Sequence, residues 1–486
     1  MSDARKRVIV IGGGISGLAT AHRLWELAPD WQIKLLESAD RLGGVLETVH
    51  QDGYLLESGA DNFITNVPWA IDLCRRIGME SELLETRPGH RTAFVVRRGR
   101  LHKIPRGFII MAPSRMWPIV GTRILSPAGK LRLAAEYFIP ARKDDADESL
   151  ADFVTRRLGR EVYDRLVQPL IGGIYTGDPK RLSLLATMPR FREMERTHGS
   201  MTRAMVRQMT RQAPREPEGS GGRYSMFVAP RAGISSMLDA IARRLPPRSI
   251  QLDSAVRQVT RTSDRQWQVG FQDAAAGPLE ADAVVIATPA AAAARLLQGL
   301  DAPLAGALAE IHHSSCAIVT LVYQRDQIDH PMDGFGFVVP IVEQRKILSG
   351  SFASVKYVGR APEDQVVIRV FIGGACQREL FDSTDEQLHD IATRELAELM
   401  GIHGAPRLTR IVRYPDTMPQ YYVGHRARVR EIESRVGRLG GIFLTGNAYH
   451  GVGIPFCIHG GEKTAEKVCA FLRAPTQSEP ITISDN

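Results

Sequence analysis

Cysteine is scarce in this chain. Cys74, Cys316, Cys376, Cys457 and Cys469 are scattered singly, odd in number and without CxxC spacing. That pattern argues against a disulfide framework or a cysteine zinc site and fits a reducing compartment. Long apolar runs are missing too: the longest, such as AVVIATPAAAAA, contains Pro289 and falls short of the roughly 18 residues a membrane-spanning helix needs. The opening MSDARKR runs straight into a strand pattern and leaves no room for a signal peptide, so a cytoplasmic protein is expected. No GxSxG elbow is present, and His312 and His313 are adjacent rather than one helical turn apart, so neither a serine nucleophile nor a metal site is expected. Charge of one sign is not concentrated anywhere. Lys and Arg exceed Asp and Glu by 62 to 54, a formal +8 spread along 486 residues, which suits an anionic small molecule or membrane surface better than nucleic acid.

What is present is an ordinary globular composition, 44% hydrophobic and 24% charged, long enough for two or three domains. Val8 to Ile11 form an apolar, β-branched run of the kind buried on both faces of a parallel sheet. Gly12, Gly14 and Gly17 follow in GxGxxG spacing, and Leu18, Ala21, Leu24, Trp25 and Ala28 then recur at helical intervals as far as Pro29. A second strand pattern, QIKLLE, ends at Glu37, in register to accept hydrogen bonds from ribose hydroxyls. In such a unit the first glycine turns tightly, the second lets the backbone approach a pyrophosphate, and the third packs helix on strand. The reading is a dinucleotide-binding βαβ unit.

The segments ADRLGGVLETV and DGYLLESGADNFI resemble the second flavin contact of the flavin amine oxidase superfamily. Three further stretches sharpen the resemblance: LIGGIYTGDPKRLSLLATMP, YPDTMPQYYVGHRARVREIE and GIFLTGNAYHGVGIPFCIHGGEKTAEKV. Together they resemble the oxygen-dependent protoporphyrinogen and coproporphyrinogen oxidases, and the tyrosine-rich MPQY form is closest to the bacterial coproporphyrinogen III oxidases. The resemblance implies FAD held without a covalent bond. It implies contacts from Gly12, Gly13, Gly14, Ile15, Ser16, Gly17, Glu37, Ser38, Gly43, Gly44, Gly59, Ala60, Asp61, Asn62, Val256, Tyr414, Gly446, Asn447, Val452, Gly453 and Ile454. It places Gly173 under the substrate ring, and Arg91 is the proposed propionate partner, with a solvated surface arginine as the alternative. The implied activity is oxidation of coproporphyrinogen III to coproporphyrin III, with molecular oxygen as acceptor and hydrogen peroxide released. Protoporphyrinogen IX is the alternative substrate; another flavin oxidase, or a non-catalytic flavin-binding scaffold, is the more distant reading. Such chemistry calls for no side-chain acid or base and no metal. Two departures stand out: Phe456 replaces the aspartate of GVGIPDCI, and Asn66 and Val67 stand where basic residues are common.

The expected fold is α/β, a Rossmann-type FAD-binding domain interleaved with a mixed-sheet substrate domain and a helical subdomain. Residues 1–70, 225–290 and 435–475 are assigned to the first, 71–105 and 291–434 to the second and 106–212 to the third, with a loop at 213–224. A basic rim of Arg91, Lys103 and Arg106 would favour the substrate with more carboxylates. Two stripes, Met201, Met205, Met209 and Arg203, Arg207, Arg211, fall on opposite helix faces, read as a core face and a solvated face or as an edge to substrate or membrane. The segment Ile104 to Arg142 is either domain core or a peripheral contact with an anionic bilayer on the inner membrane face. His450 and Cys457 are read as structural. Monomer and homodimer both stay open.

Overall fold

A computed structural model describes residues 5–113, 117–211, 226–262, 266–273 and 275–474. The loop expected at 213–224 lies outside the described residues. A parallel five-stranded sheet runs in the order Ile250–Gln251, Gln32–Leu36, Arg7–Ile11, Ala283–Ile286, Ile442–Leu444. Its strands come from separate parts of the chain, between residues 7 and 444. Val8 and Val10 enter the core on one face, and Ile9 and Ile11 enter the core on the other. That alternation is why the first strand reads as an unbroken apolar run.

On one face pack the helices Ile15–Leu27, Ile234–Arg244 and Ile454–Arg473. On the other lie the antiparallel strands Val256–Arg261, Trp267–Phe271 and Leu279–Ala281. The sequence pattern assigns residues 71–79, 291–311 and 429–434 to the substrate domain. Their apolar side chains, among them Ile71, Cys74, Leu297, Leu308, Val429 and Ile432, instead fill the two cores flanking this sheet.

The second sheet has seven strands, in the order Leu408–Pro419, His313–Gln324, Gln365–Gly373, Ser349–Phe352, Gly336–Val338, Ala93–Arg97, Arg100–Lys103. All its neighbours are antiparallel except Gly336–Val338 beside Ala93–Arg97. Its core lies against the helix Asp385–Met400, which starts with a reciprocal capping box between Thr384 and Gln387.

A further core is helical and gathers Phe108, Met111, Phe153, Leu166, Ile171, Leu182, Met201 and Met205. Glu136 and Arg157 are ion-paired at its centre, both with fully buried side chains. The Glu136 carboxylate also accepts from Ser200 Oγ at 2.6 Å, Met201 N at 3.0 Å and Thr202 N at 3.1 Å, anchoring the start of the helix Met201–Arg211. That helix turns Met201 and Met205 inward, leaves Arg207 exposed and lays Arg203 over the Tyr137 ring at 4.3 Å, which is the core-face reading of the two stripes. The Met209 and Arg211 side chains lie outside the described residues. The Ile104 to Arg142 segment divides: Phe108, Met111 and Ile119 are buried, while Trp117 is 85% exposed and Phe138 78%. No helix among the described residues is long and apolar enough to cross a membrane.

Candidate active site

The first strand ends in a turn at Gly12, whose φ of +109° suits glycine and whose N–H donates to Leu36 O at 2.8 Å. The three glycines of the motif meet different surroundings. A Cβ on Gly17 would lie 1.9 Å from Gly12 O, so this glycine is where helix and strand touch. A Cβ on Gly14 would meet nothing within 4 Å, and one on Gly44 only Gly14 Cα at 3.8 Å. The space beside the helix start is therefore open where a pyrophosphate would approach, and the glycine cradle fits a dinucleotide. Gly43 N donates to Gly13 O at 2.9 Å, drawing the second glycine pair against the first turn. Ile15 and Ser16 begin the helix, both buried.

Glu37 is buried at the end of the second strand. Its Oε2 accepts from Gly13 N at 2.6 Å, and its Oε1 accepts from Ser38 Oγ at 3.0 Å and Ala39 N at 2.9 Å. The acid is thus locked to the glycine turn, with lone pairs left for ribose hydroxyls. Ser254 N donates to Glu37 O at 2.8 Å, which brings the strand starting at Val256 to the same end of the site.

Farther along, Gly59 packs so closely on Val45 that a Cβ would lie 2.1 Å from Val45 O. The same carbonyl accepts from Tyr414 Oη at 3.2 Å, and burial pushes this phenol's pKa up to about 12. Ala60, Asp61 and Asn62 continue from Gly59 into the strand Phe63–Ile64. The C-terminal helix starts at Ile454 after Gly453, and a Cβ on Gly461 would lie 2.5 Å from Ser16 O. Thr20 Oγ1 donates to both Ser16 O and Gly461 O, at 2.8 and 3.2 Å. Two helices that each follow the carboxyl end of a parallel strand are held side by side, their positive ends on the same edge of the sheet.

The stretch Met418–His425 ties this edge to the other two units. Gln420 Nε2 donates to Tyr175 O and Ser314 Oγ, both at 3.0 Å. Ser183 N donates to Tyr421 O at 2.7 Å, and Val423 N to Arg181 O at 2.9 Å. Tyr421 Oη donates to Asn447 O at 2.5 Å and accepts from Gly451 N at 2.8 Å. Its ring stacks on His425 at 4.0 Å, and His425 Nε2 meets Tyr449 O at 3.2 Å. Burial lowers the His425 pKa to about 4, against the hydrogen bond to Tyr449, so the ring is neutral at pH 7 and Nε2–H is the donor. Asn447, Val452 and the turn at Gly446, with φ +137°, are thereby braced against the helical unit. The sequence reading used this motif as a family label; its bracing role depends on partners far away in the chain.

Gly173 is exposed, and a Cβ there would meet only Val338 Cγ1, at 3.4 Å. Val338, Val452 and Tyr422 come from three different parts of the chain and all pack against the helical core beside it. The surface at Gly173 is therefore backbone rather than side chain. The expected basic rim is weaker than the sequence suggested. Arg91 Nη2 donates to Glu85 Oε2 at 3.2 Å and to Thr86 O at 3.3 Å, and Lys103 Nζ lies 2.5 Å from Asp333 Oδ2, which leaves Arg106 exposed. His450 is an exposed partner of Glu433 at 3.0 Å, and Cys457 is buried with its thiol pKa raised by desolvation to about 11. Phe456, one of the departures, packs edge-on against Trp69 at 5.2 Å, and Trp69 stacks on His459 at 4.0 Å.

The sequence profile of the flavin containing amine oxidoreductases matches residues 15–469. A coproporphyrinogen III oxidase of Bacillus subtilis (strain 168) is 32% identical, covering 97% of this chain and 100% of the relative. A chloroplastic protoporphyrinogen oxidase of Nicotiana tabacum is 27% identical over 96% of this chain and 85% of its own. The crystal structure of a putative protoporphyrinogen oxidase from Exiguobacterium sp. 255-15 superposes with a TM-score of 0.84 at 29% identity, covering 96% of this chain and 99% of that one.

Two outcomes follow from this geometry. Gly14→Val should abolish flavin retention with little change in the melting temperature of the cofactor-free protein. Gly461→Val should lower that temperature, through overpacking of about 1–3 kcal/mol. Absorbance at 450 nm and thermal unfolding separate the two. For His425, the unfolded chain binds a proton near pH 6.5 and the folded one only near 4, so its contribution is present above pH 6.5 and is lost as pH falls towards 4. Denaturation midpoints at pH 7 and pH 5 should show a loss of about 2 kcal/mol that His425→Gln lacks.

Proposed function

The chain belongs to the flavin containing amine oxidoreductases, and we propose that within this family it is a coproporphyrinogen III oxidase holding FAD without a covalent bond. The reading is carried by end-to-end similarity to coproporphyrinogen III oxidases from more than one bacterium, at 32% and 30% identity over the full length of each relative. The clasp at Gln420, Tyr421 and His425 supports it, because it joins the motifs on which that similarity is most specific.

FAD supplies hydride acceptance. The residues that would hold it are the glycine turn of Gly12 to Gly17, Glu37, Gly43, Gly44, the Gly59–Asn62 segment, Val256, Tyr414 and the Gly446–Ile454 turn. The remaining work is geometric. Gly173 and Val338 receive the flat face of a tetrapyrrole, so a bridge carbon is presented towards the nucleotide domain. With FAD bound, the porphyrinogen would lose six hydrogens in three two-electron steps, three as hydride from saturated bridges and three as protons, two of these from pyrrole nitrogens and one, after tautomerisation, from the remaining bridge. Each step would pass two electrons and two protons to one molecule of oxygen, giving hydrogen peroxide. Since Arg91 and Lys103 already have carboxylate partners, substrate preference rests more on ring shape than on rim charge.

Anaerobic mixing with coproporphyrinogen III should bleach the flavin, and oxygen should restore it with peroxide formed. Gly173→Leu should raise KM about tenfold or more for the loss of the slot while leaving flavin content unchanged. A higher kcat/KM for protoporphyrinogen IX would move the assignment to that substrate, and no bleaching with either would reject it.

We also assign the exposed side chains Trp117, Val120, Leu131 and Phe138, with the exposed Arg123 near them in sequence, to peripheral contact with an anionic bilayer. Co-sedimentation with phosphatidylglycerol vesicles should fall on Trp117→Ser and at high salt, and binding unchanged by both would refute the assignment.

A further inference from the structure

We propose that a buried cluster of Lys356, Asp61 and Arg369 sets the electron affinity of the flavin, by keeping one uncompensated positive charge behind the Gly59–Asn62 segment. The proposal rests on the flavin reading above and adds a residue, Lys356, that no sequence motif singled out.

Lys356 ends the short helix Ala353–Lys356, between two strands of the mixed sheet, and is 7% exposed. Its Nζ lies 2.5 Å from Asp61 Oδ2, and Arg369 Nη1 is 3.7 Å from the same oxygen. Arg369, 2% exposed, also donates through Nη2 to Ser58 O and Gly59 O. The second carboxylate oxygen of Asp61 accepts from Asn62 Nδ2 at 2.7 Å. The cluster therefore grips three of the four residues of the expected flavin contact: the Gly59 carbonyl, the Asp61 carboxylate and the Asn62 amide.

Its charges do not cancel. Arg360 and Glu57 are buried next to it, Arg360 donating to Pro230 O and Arg231 O, and Glu57 accepting from Ile234 N and Thr48 Oγ1. The set holds three cations, Lys356, Arg360 and Arg369, against two carboxylates, Asp61 and Glu57. Burial would push Asp61 up, but Lys356 and Arg369 hold its carboxyl below the usual range, so it is ionised. Burial raises Glu57, which enlarges the positive surplus, and lowers Lys356, which the ion pair with the ionised Asp61 opposes. Arg369 Nε and the hydroxyl of Ser351, its cross-strand neighbour, are buried with no hydrogen-bond partner among the described residues. The cluster is therefore built beyond what its own ion pairs require.

Burying an unbalanced cation is costly unless a negative charge is met nearby. Hydride transfer from a porphyrinogen bridge adds two electrons and one proton to the flavin and leaves one net negative charge on it. A fixed cation in a dry setting stabilises that charge without reorganisation. Lys356 and Arg369 act here as positioning residues, through Asp61 and Gly59 of the segment that would hold the flavin.

The test compares flavin-loaded wild type, Asp61→Asn and Lys356→Met by the two-electron midpoint potential against a reference dye. Asp61→Asn raises the surplus and should make the flavin easier to reduce. Lys356→Met removes it and should make reduction harder, each by about tenfold in the equilibrium, ~30 mV. Both substitutions break the same ion pair, so a merely structural cluster would shift both variants the same way. Equal-sign shifts, or no shift in either, overturn the proposal. Should Asp61→Asn not accumulate, Lys356→Arg must keep the wild-type potential and Lys356→Met must not; equal potentials in those two also overturn it. Wild-type protein that carries no flavin would reject the cofactor reading instead.

Discussion

The hydroxyl of Tyr421 is the contact on which the site depends. It accepts from Gly451 N and donates to Asn447 O, so a loop with little regular structure is pinned at two points. Its neighbours Gln420 and His425 bind the helical unit on one side and the flavin-side loop on the other. The hydrophobic cores meet at their edges, where Val95 and Val338 of the mixed sheet and Val452 pack into the helical core, but such apolar contacts have no direction that fixes how the units face one another. Buried hydrogen bonds of fixed direction do that, because a small rotation leaves polar groups unsatisfied at about 1–3 kcal/mol each.

Within the nucleotide-type domain the glycines divide by what lies beside them. Gly17, Gly59 and Gly461 are filled positions where backbone touches backbone, so their role is packing. Gly14 and Gly44 face open space, which the proposed approach of a pyrophosphate requires. One departure from the family pattern also finds a physical place: Phe456 forms an aromatic group with Trp69 and His459, which packs the first turn of the C-terminal helix on Trp69.

Electrostatics follow a comparable division. The rim cations Arg91 and Lys103 are satisfied by surface carboxylates and have little to offer a substrate. The charges in the best position to act are buried ones, around Asp61 next to the flavin segment and around Glu136 in the helical core, where weak screening lets them act at full strength.

The sequence by itself determined the βαβ unit, the glycine turn, Glu37 and the family, since these depend on neighbours within about forty residues and on backbone geometry that only certain residue types allow. Alternating burial of Val8 to Ile11 and helical recurrence after Gly17 are local properties, legible wherever they occur. Only the tertiary structure decided that Arg91 is spoken for by Glu85, that Gln420 reaches Tyr175, and that Lys356 meets Asp61 across 295 residues of chain. Such contacts leave no periodic trace in the sequence. A lysine near the end of a short helix reads as a solvated charge until the fold places a carboxylate beside it and removes the water.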